Sequence, residues 1–109
     1  MGCSLLQPGP SKPVVVLQTD PEEQARREEP VRVWLHNDDV TPAEYVVAIL
    51  EQVFAFGWWK ANWIMVKAHV TGQALVGNYP RKEAEAKVAA VHQQARVDGW
   101  PLRLSVESP

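Results

Sequence analysis

Apolar and polar residues alternate over residues 31–36, and the alternation ends at three side chains that favour turns. The alternate apolar positions are Val31, Val33 and Leu35, which is the period of two typical of a strand with one buried face. Asn37-Asp38-Asp39 follows, and such side chains compete with a strand ladder by bonding to their own backbone. The pattern therefore predicts a strand that ends abruptly in a polar turn.

The turn leads into a segment that has the start signals of a helix. Thr41-Pro42-Ala43-Glu44 has the spacing of a capping box, with proline at the first helical position. We expect Thr41 to cap a helix that ends near Ala55. The apolar residues that would form its buried stripe are Val46, Ile49, Leu50 and Val53.

Periodicity and two glycines divide the rest of the chain. The predicted elements are a helix over residues 58–70, a strand over 73–79, a helix over 80–99 and a strand over 102–106. Gly72 fits the left-handed residue after a helix, and Gly77 indicates a bulge or a close backbone approach within a strand. The order strand, helix, helix, strand, helix, strand indicates an α+β fold, in which three helices pack on a small three-stranded antiparallel sheet.

The first 30 residues differ in composition from the rest. They contain five prolines, and residues 20–29 are almost all charged or polar. Such a segment buries too little apolar surface to offset the entropy of ordering it. We therefore predict a flexible N-terminal extension over residues 1–30 and a single domain over residues 31–109. Val14-Val15-Val16-Leu17 is the apolar exception, for which an edge strand and a short adhesive patch both remain open.

Charge, hydropathy and cysteine content exclude several classes of partner. Eleven basic and thirteen acidic residues give a net charge of -2, without the excess of positive charge that phosphate backbones and anionic membranes select. No apolar run is long enough to span a bilayer, and no secretory signal is recognisable. Cys3 is the only cysteine, which suits a reducing compartment. We expect a cytoplasmic protein that binds neither nucleic acid nor a membrane.

Histidines and carboxylates suggest an enzyme only weakly. His36, His69 and His92 have separations that match no zinc or carboxylate-triad spacing. Asp38 with His69 would also suit a hydrolase, but no Ser, Thr or Cys nucleophile lies in a recognisable setting. A metal-dependent hydrolase would require metal in the purified protein and would lose activity on chelation. We therefore expect no metal, no cofactor and no enzymatic activity.

The polar turn and the helix after it belong to a longer recognisable pattern. Residues 37–47, Asn-Asp-Asp-Val-Thr-Pro-Ala-Glu-Tyr-Val-Val, resemble the Asn-Asp-Asp-x-Thr-Pro-x-Glu-aromatic-Val signature of the ClpS adaptors. The resemblance covers residues 31–107 without an insertion, and its further matches are Met65, His69, Gly72, Gly77, residues 84–88, Ala95-Arg96 and residues 99–102. Membership of this family implies a ClpS-like fold.

The resemblance also implies a function. Adaptors of this family bind proteins whose first residue is a bulky hydrophobe with a free α-amino group, a signal called an N-degron. They deliver these proteins to a Clp AAA+ unfoldase that works with the ClpP peptidase. By resemblance, Asn37, Asp38 and His69 would hold the α-ammonium group. The residues that would form or flank the cavity for the first side chain are Thr41, Ala43, Val46, Ile49, Met65 and Leu102.

Two departures from the family pattern affect specificity. Ala43 stands where many members have Met, so we expect a roomier pocket and weaker discrimination among first residues. Lys82 replaces a Glu on a face that, with Glu85 and Lys87, would contact the N-terminal domain of a ClpA- or ClpC-like unfoldase. In this family the N-terminal extension serves the handover, so residues 1–30 are expected to act in delivery.

The second predicted helix has an unusual aromatic stripe. Trp59, Trp63, Val66 and Val70 fall on one side of it, apart from the side that holds Ala61, Met65 and Ala68. We expect this stripe to be exposed and to serve as a partner surface, or for self-association through Trp59 and Trp63. The alternative function is a protein-docking module that uses this helix without recognising N-degrons.

Overall fold

The computed structural model of the chain describes residues 20–109, so that Cys3 and the apolar run at residues 14–17 lie outside the described part. The elements are helix α1 (Pro21–Glu28), strand β1 (Pro30–His36), helices α2 (Ala43–Phe54) and α3 (Trp58–Thr71), strand β2 (Gln73–Pro80), helix α4 (Arg81–Asp98) and strand β3 (Arg103–Glu107). The predicted α+β class and the predicted order from β1 onward are confirmed.

The sheet has the antiparallel order β2-β1-β3, so the first predicted strand lies in its centre. Val31, Val33 and Leu35 are at most 2% exposed, as their alternation predicts, and they contact the core below the helices. The pairing register shifts between Val33 and Trp34, opposite Gly77 and Leu75. This irregularity confirms the predicted bulge beside Gly77.

Glycine is favoured at residue 77 by the close approach of an aromatic ring. A Cβ atom built there would lie 3.1 Å from Cε2 of the Tyr79 ring. Gly72, by contrast, is required by backbone conformation, because it ends α3 with a φ of 96° in the left-handed region. Both predictions for these glycines agree with the structure.

Helix α1 corrects part of the interpretation of the first 30 residues. Pro21–Glu28 is helical, and its first turn has acidic side chains beside an Asp20 carboxylate that accepts the Glu22 N–H at 3.1 Å. These are ordinary start signals for a helix, which the overall polarity of the segment obscured. Helix α1 contacts α4, and β1 begins at Pro30. The division into an extension and a domain at residue 30 stays a prediction.

The predicted capping box does not form. Pro42 takes the cap position of α2, and no side chain caps the helix. The Thr41 hydroxyl instead donates to the Asp38 carboxylate at 2.9 Å. At the other end, α2 stops at Phe54 because Ala55 adopts a left-handed conformation with φ of 58°, without the glycine that usually signals such an end.

The hydrophobic core lies between one face of the sheet and helices α2, α3 and α4. Leu50, Ile64 and Val91 provide one buried side chain from each of these helices. Burying a side chain of this size contributes about 1.5–3 kcal/mol to folding. None of the helices within residues 20–109 is long and apolar enough to cross a membrane.

Candidate functional site

A cavity of about 210 Å³ lies where the end of β1 meets the start of α2 and the last turns of α3. Eight of the nine residues predicted to bind a ligand line it: Asn37, Asp38, Thr41, Ala43, Val46, Met65, His69 and Leu102. The ninth, Ile49, is 3% exposed and belongs to the hydrophobic core instead of the lining. Ile49 lies one helical turn after Val46 on the same apolar stripe of α2. At residue 49 this stripe faces the hydrophobic core.

One backbone hydrogen bond joins the two sides of the cavity. The N–H of Asn37 donates to the carbonyl oxygen of Gly72 at 3.0 Å, and the N–H of Gly72 donates to that of Ala68 at 2.8 Å. The first bond holds the end of β1 against the end of α3. His69 lies in the last turn of α3, three residues before Gly72. This turn is beside the end of β1, and His69 lines the same cavity as Asn37 and Asp38.

The turn after β1 is organised by the Asp38 carboxylate. Oδ1 accepts the backbone N–H groups of Val40 and Thr41 at 2.8 and 2.7 Å, and Oδ2 accepts the Thr41 hydroxyl at 2.9 Å. Burial acts to raise the pKa of Asp38, but the hydrogen bonds from Thr41 and Val40 outweigh it, and the pKa lies below its ordinary value. Asp38 is therefore anionic at neutral pH, and it lines the cavity.

Asn37 and His69 present polar side chains that no other residue in the described part of the chain uses. Within residues 20–109, neither side chain makes a hydrogen bond or an ion pair, and both residues are exposed. The Asn37 amide offers a carbonyl oxygen, and a neutral imidazole offers one ring nitrogen as an acceptor. Together with Asp38, the cavity rim has three acceptors that are suited to a small cation with several N–H groups.

The interior of the cavity is apolar. Val46 and Leu102 are buried, Met65 is half-buried, and Ala43 is exposed at the mouth. A thioether side chain such as that of Met65 adapts to ligands of different shape. The cavity thus combines a polar rim with an apolar interior, which is the general composition of sites for small amphipathic groups.

Four further residues line the cavity that the sequence analysis did not assign to it: Leu35, His36, Asp39 and Ala68. His36 Nε2 lies 2.6 Å from Ser105 Oγ, and burial together with the charge of Arg103 lowers the pKa of His36. Leu35 and His36 immediately precede the polar turn, and Ala68 lies three residues after Met65. The sequence could have indicated these residues only through their positions next to the predicted site residues.

The predicted partner-binding residues on α4 divide into two groups. Lys82 and Glu85 are exposed. Lys87 is half-buried, and its Nζ donates to the carbonyl oxygen of Val53 at 3.2 Å and lies 3.8 Å from Glu83 Oε2. Lys87 therefore stabilises the carboxyl end of α2, which the sequence pattern did not indicate.

The aromatic stripe of α3 is exposed, as predicted. Trp59 is 81% exposed and Trp63 is 65% exposed, and Val66 and Val70 continue the stripe at the surface. The opposite side of the helix buries Ala61, Ile64 and Ala68. Among the described residues, no three His, Cys, Asp or Glu side chains are grouped so that they could hold a metal ion.

Comparisons with known proteins agree with the resemblance in the sequence. A family model described as ATP-dependent Clp protease adaptor protein ClpS matches residues 26–105. The ATP-dependent Clp protease adapter protein ClpS of Desulfatibacillum aliphaticivorans is 36% identical over 102 residues, which cover 94% of this chain and 98% of that protein. The protein of the same name from Desulforapulum autotrophicum is 47% identical over 76 residues, which cover 70% of this chain and 73% of that protein.

A solved structure supports the same assignment. Agrobacterium tumefaciens ClpS2 bound to L-phenylalaninamide matches with a TM-score of 0.73 and 32% identity, over 76% of this chain and 100% of that chain. The fold, the family match and the relatives therefore agree, and the chain belongs to the ClpS family of adaptors of the ATP-dependent Clp protease.

Proposed function

We propose that this chain binds N-degrons, the bulky hydrophobic first residues of proteins with a free α-amino group, and delivers those proteins to a Clp AAA+ unfoldase and the ClpP peptidase. It acts in the cytoplasm as an adaptor without catalytic activity of its own. The observation that most supports this proposal is that Asn37, Asp38 and His69 line one cavity with an apolar interior. The similar Agrobacterium tumefaciens protein is bound to L-phenylalaninamide, a molecule with a free α-amino group and a benzyl side chain.

The polar rim supplies the recognition of the amino group. An α-ammonium has three N–H donors, and the rim offers the Asn37 amide oxygen, the anionic Asp38 and the imidazole of His69. Each hydrogen bond to a charged group contributes about 1.5–3 kcal/mol. Because the acceptors and the apolar surface line one cavity, a Lys ammonium on a long flexible stem meets both less well than a chain terminus with an apolar first residue does.

The apolar interior supplies the recognition of the first side chain. Val46, Met65 and Leu102 surround a space of about 210 Å³. Burying one large apolar side chain there contributes about 1.5–3 kcal/mol. After the entropy of association, the two contributions support an affinity of about micromolar, and neither contribution alone would suffice.

The proposal is tested by titrating short peptides that differ only at the first residue, each with a free and with an acetylated N-terminus. Acetylation removes the charge and a donor without changing the side chain. We expect Leu, Phe, Tyr and Trp peptides to bind with a Kd of about micromolar, and acetylation to weaken binding by at least about 100-fold. Equal affinity for acetylated and free peptides would show that the amino group is not recognised.

Delivery is proposed to require the N-terminal extension and the α4 face that includes Lys82, Glu85 and Lys87. Lys82 and Glu85 are exposed on this helix, where a partner domain has access to them. A variant that lacks residues 2–28 is expected to bind Leu peptides with unchanged affinity but to lose delivery of a Leu-initiated reporter to an unfoldase and ClpP. Unchanged degradation of the reporter would contradict a role of the extension.

The exposed stripe of α3 favours a second candidate function, docking of another protein. Trp59 and Trp63 are large, mostly exposed apolar side chains outside the buried core, and exposed apolar patches often mark interaction sites. Self-association through these two residues stays a proposal. The grouping of Asn37, Asp38 and His69 in one cavity favours N-degron binding over a module that only docks through α3.

A further inference from the structure

A pair of side chains outside the cavity connects two of the elements that form it. Val46 lies on α2 and Leu102 lies four residues after the end of α4, and both are buried side chains that line the cavity. Tyr45 precedes Val46, and its side chain contacts the turn that leads from α4 to Leu102. The position of that turn therefore affects where Leu102 lies relative to α2.

The turn after α4 is shaped by backbone hydrogen bonds. Gly99 ends the helix with a φ of 84° in the left-handed region. Its N–H donates to the carbonyl oxygen of Arg96 at 3.2 Å, and the N–H of Trp100 donates to that of Ala95 at 2.8 Å. These bonds lie within the end of α4, so they fix the shape of the turn but not its distance from α2.

Tyr45 connects α2 to this turn. Its hydroxyl donates to the Asp98 carboxylate at 2.6 Å, and its ring lies 6.2 Å from the Trp100 ring between centroids. The hydrogen bonds from Tyr45 and Gln94 lower the pKa of Asp98. Burial, together with the hydrogen bond to Asp98 and its charge, raises the pKa of Tyr45 to about 12. At neutral pH a neutral hydroxyl therefore donates to an anionic carboxylate, which gives a short, charge-assisted bond.

We infer that Tyr45 and Asp98 are positioning residues that hold Leu102 toward α2 and so set the width of the cavity for the first side chain. The inference rests on the proposed function, since the first residue of an N-degron is the ligand that this width would select. Neither Tyr45 nor Asp98 lines the cavity, so the pair acts through Leu102 without touching a ligand. A cavity of fixed width packs closely on Leu, whereas one in which Leu102 moves freely adapts to the larger Trp side chain.

The variant Y45F tests the bond, because it removes the hydroxyl and keeps the ring beside Trp100. Peptides that begin with Leu or Trp are titrated by fluorescence anisotropy. We expect the ratio of the Leu affinity to the Trp affinity to fall by about fivefold in Y45F, mainly through weaker binding of Leu peptides. D98A should lower the ratio equally, and Y45F/D98A should lower it no further, because the two substitutions break the same bond.

Two variants separate the bond from the charge and from other contacts of Asp98. D98N keeps an acceptor for the Tyr45 hydroxyl, so it is expected to keep most of the native ratio. Gln94 also donates to Asp98, at 3.0 Å, but from the preceding turn of the same helix, so the matched control Q94A should keep the native ratio. Circular dichroism verifies the fold of each variant. A ratio that is unchanged in Y45F, or that falls equally in Q94A, would overturn the inference.

A measurement without a ligand separates this inference from the proposed function. In the free chain, the methyl signals of Leu102 in nuclear magnetic resonance spectra should shift in Y45F and D98A and stay in place in Q94A. If Leu peptides bind only with a free N-terminus while neither the ratio nor the methyl signals change in Y45F, this inference alone is overturned. If no peptide binds with a dependence on its free N-terminus, the proposed function is overturned, and shifted methyl signals would still show that the pair positions Leu102.

Discussion

The two faces of α3 contrast in what the fold places beside them. On one face, Met65, Ala68 and His69 lie against the end of β1 and close a cavity. On the other face, Trp59 and Trp63 are exposed to solvent. The comparison teaches that aromatic area alone does not make a specific site. Specificity requires apolar surface that is enclosed and bordered by fixed polar groups.

The largest effect is expected from Asp38→Asn, which tests the charged side of the cavity. The substitution keeps an acceptor of similar size but removes the negative charge that faces the ligand ammonium. We expect the affinity for a Leu peptide to fall by about 10- to 100-fold in an isothermal titration.

Asp39→Asn is the matched control for that change, since Asp39 lines the same cavity without accepting a hydrogen bond in the described structure. It is expected to lower the affinity by less than about threefold. If both variants lost the same affinity, the net charge of the turn would account for the binding of the ammonium group. The position of Asp38 would then have no specific role.

The substitution Ala43→Met tests how the size of residue 43, at the mouth of the cavity, affects the choice of first residue. The longer side chain at the mouth is expected to lower the affinity for peptides that begin with Ile or Val by about tenfold while Leu peptides lose less than about threefold. The native chain should therefore accept Ile and Val better than this variant does. Equally sharp rejection of Ile and Val by the native chain would contradict the roomier pocket.

A smaller effect is expected on stability as the pH falls. The pKa of Asp38 is lower in the folded chain than its ordinary value of 3.8, because the ionised carboxylate accepts the N–H groups of Val40 and Thr41. Its contribution to stability is therefore present above that ordinary value and is lost as the pH falls through the folded-state pKa.

Urea unfolding at neutral pH and at about pH 3 would measure this loss in the native chain and in Asp38→Asn. The variant lacks the titrating carboxylate, so its stability should fall less over this range. An identical pH dependence of the two chains would show that the hydrogen bonds to Asp38 do not favour its ionised form.

The smallest effect on the cavity is expected from Trp59→Gln with Trp63→Gln. The fold and the affinity for Leu peptides should stay within about twofold, because both side chains are exposed. Sedimentation velocity before and after the substitution measures whether the stripe supports self-association. A loss of folding would mean that the tryptophans stabilise the native chain after all.

Much of the fold was predictable because its elements follow simple periods. The alternation of Val31, Val33 and Leu35 predicted the central strand, and Gly72 and Gly77 indicated a helix end and a bulge. The residues around the cavity were named by resemblance to a family signature, because residues 37 and 69 are distant in sequence and periodicity does not bring them together.

The errors arose where two local rules competed. Thr41 fits a capping box, but the carboxylate of Asp38 is the stronger acceptor and takes the Thr41 hydroxyl and the free N–H groups. Helix α1 was missed because mean polarity was weighed above the start signals at Asp20 and Pro21. Ile49, which was expected to form or flank the cavity, lies in the core one helical turn after Val46, and its role beside the cavity stays a prediction.

The bond between the Asn37 N–H and the Gly72 carbonyl has a kinetic consequence. This main-chain hydrogen bond between a strand end and a helix end is present in the free chain, so the backbone beside the cavity is in place before a ligand binds. Peptides should then enter at similar rates whatever their first residue. Preference among them would be expressed in how long each stays, so dissociation rates should rank the N-degrons.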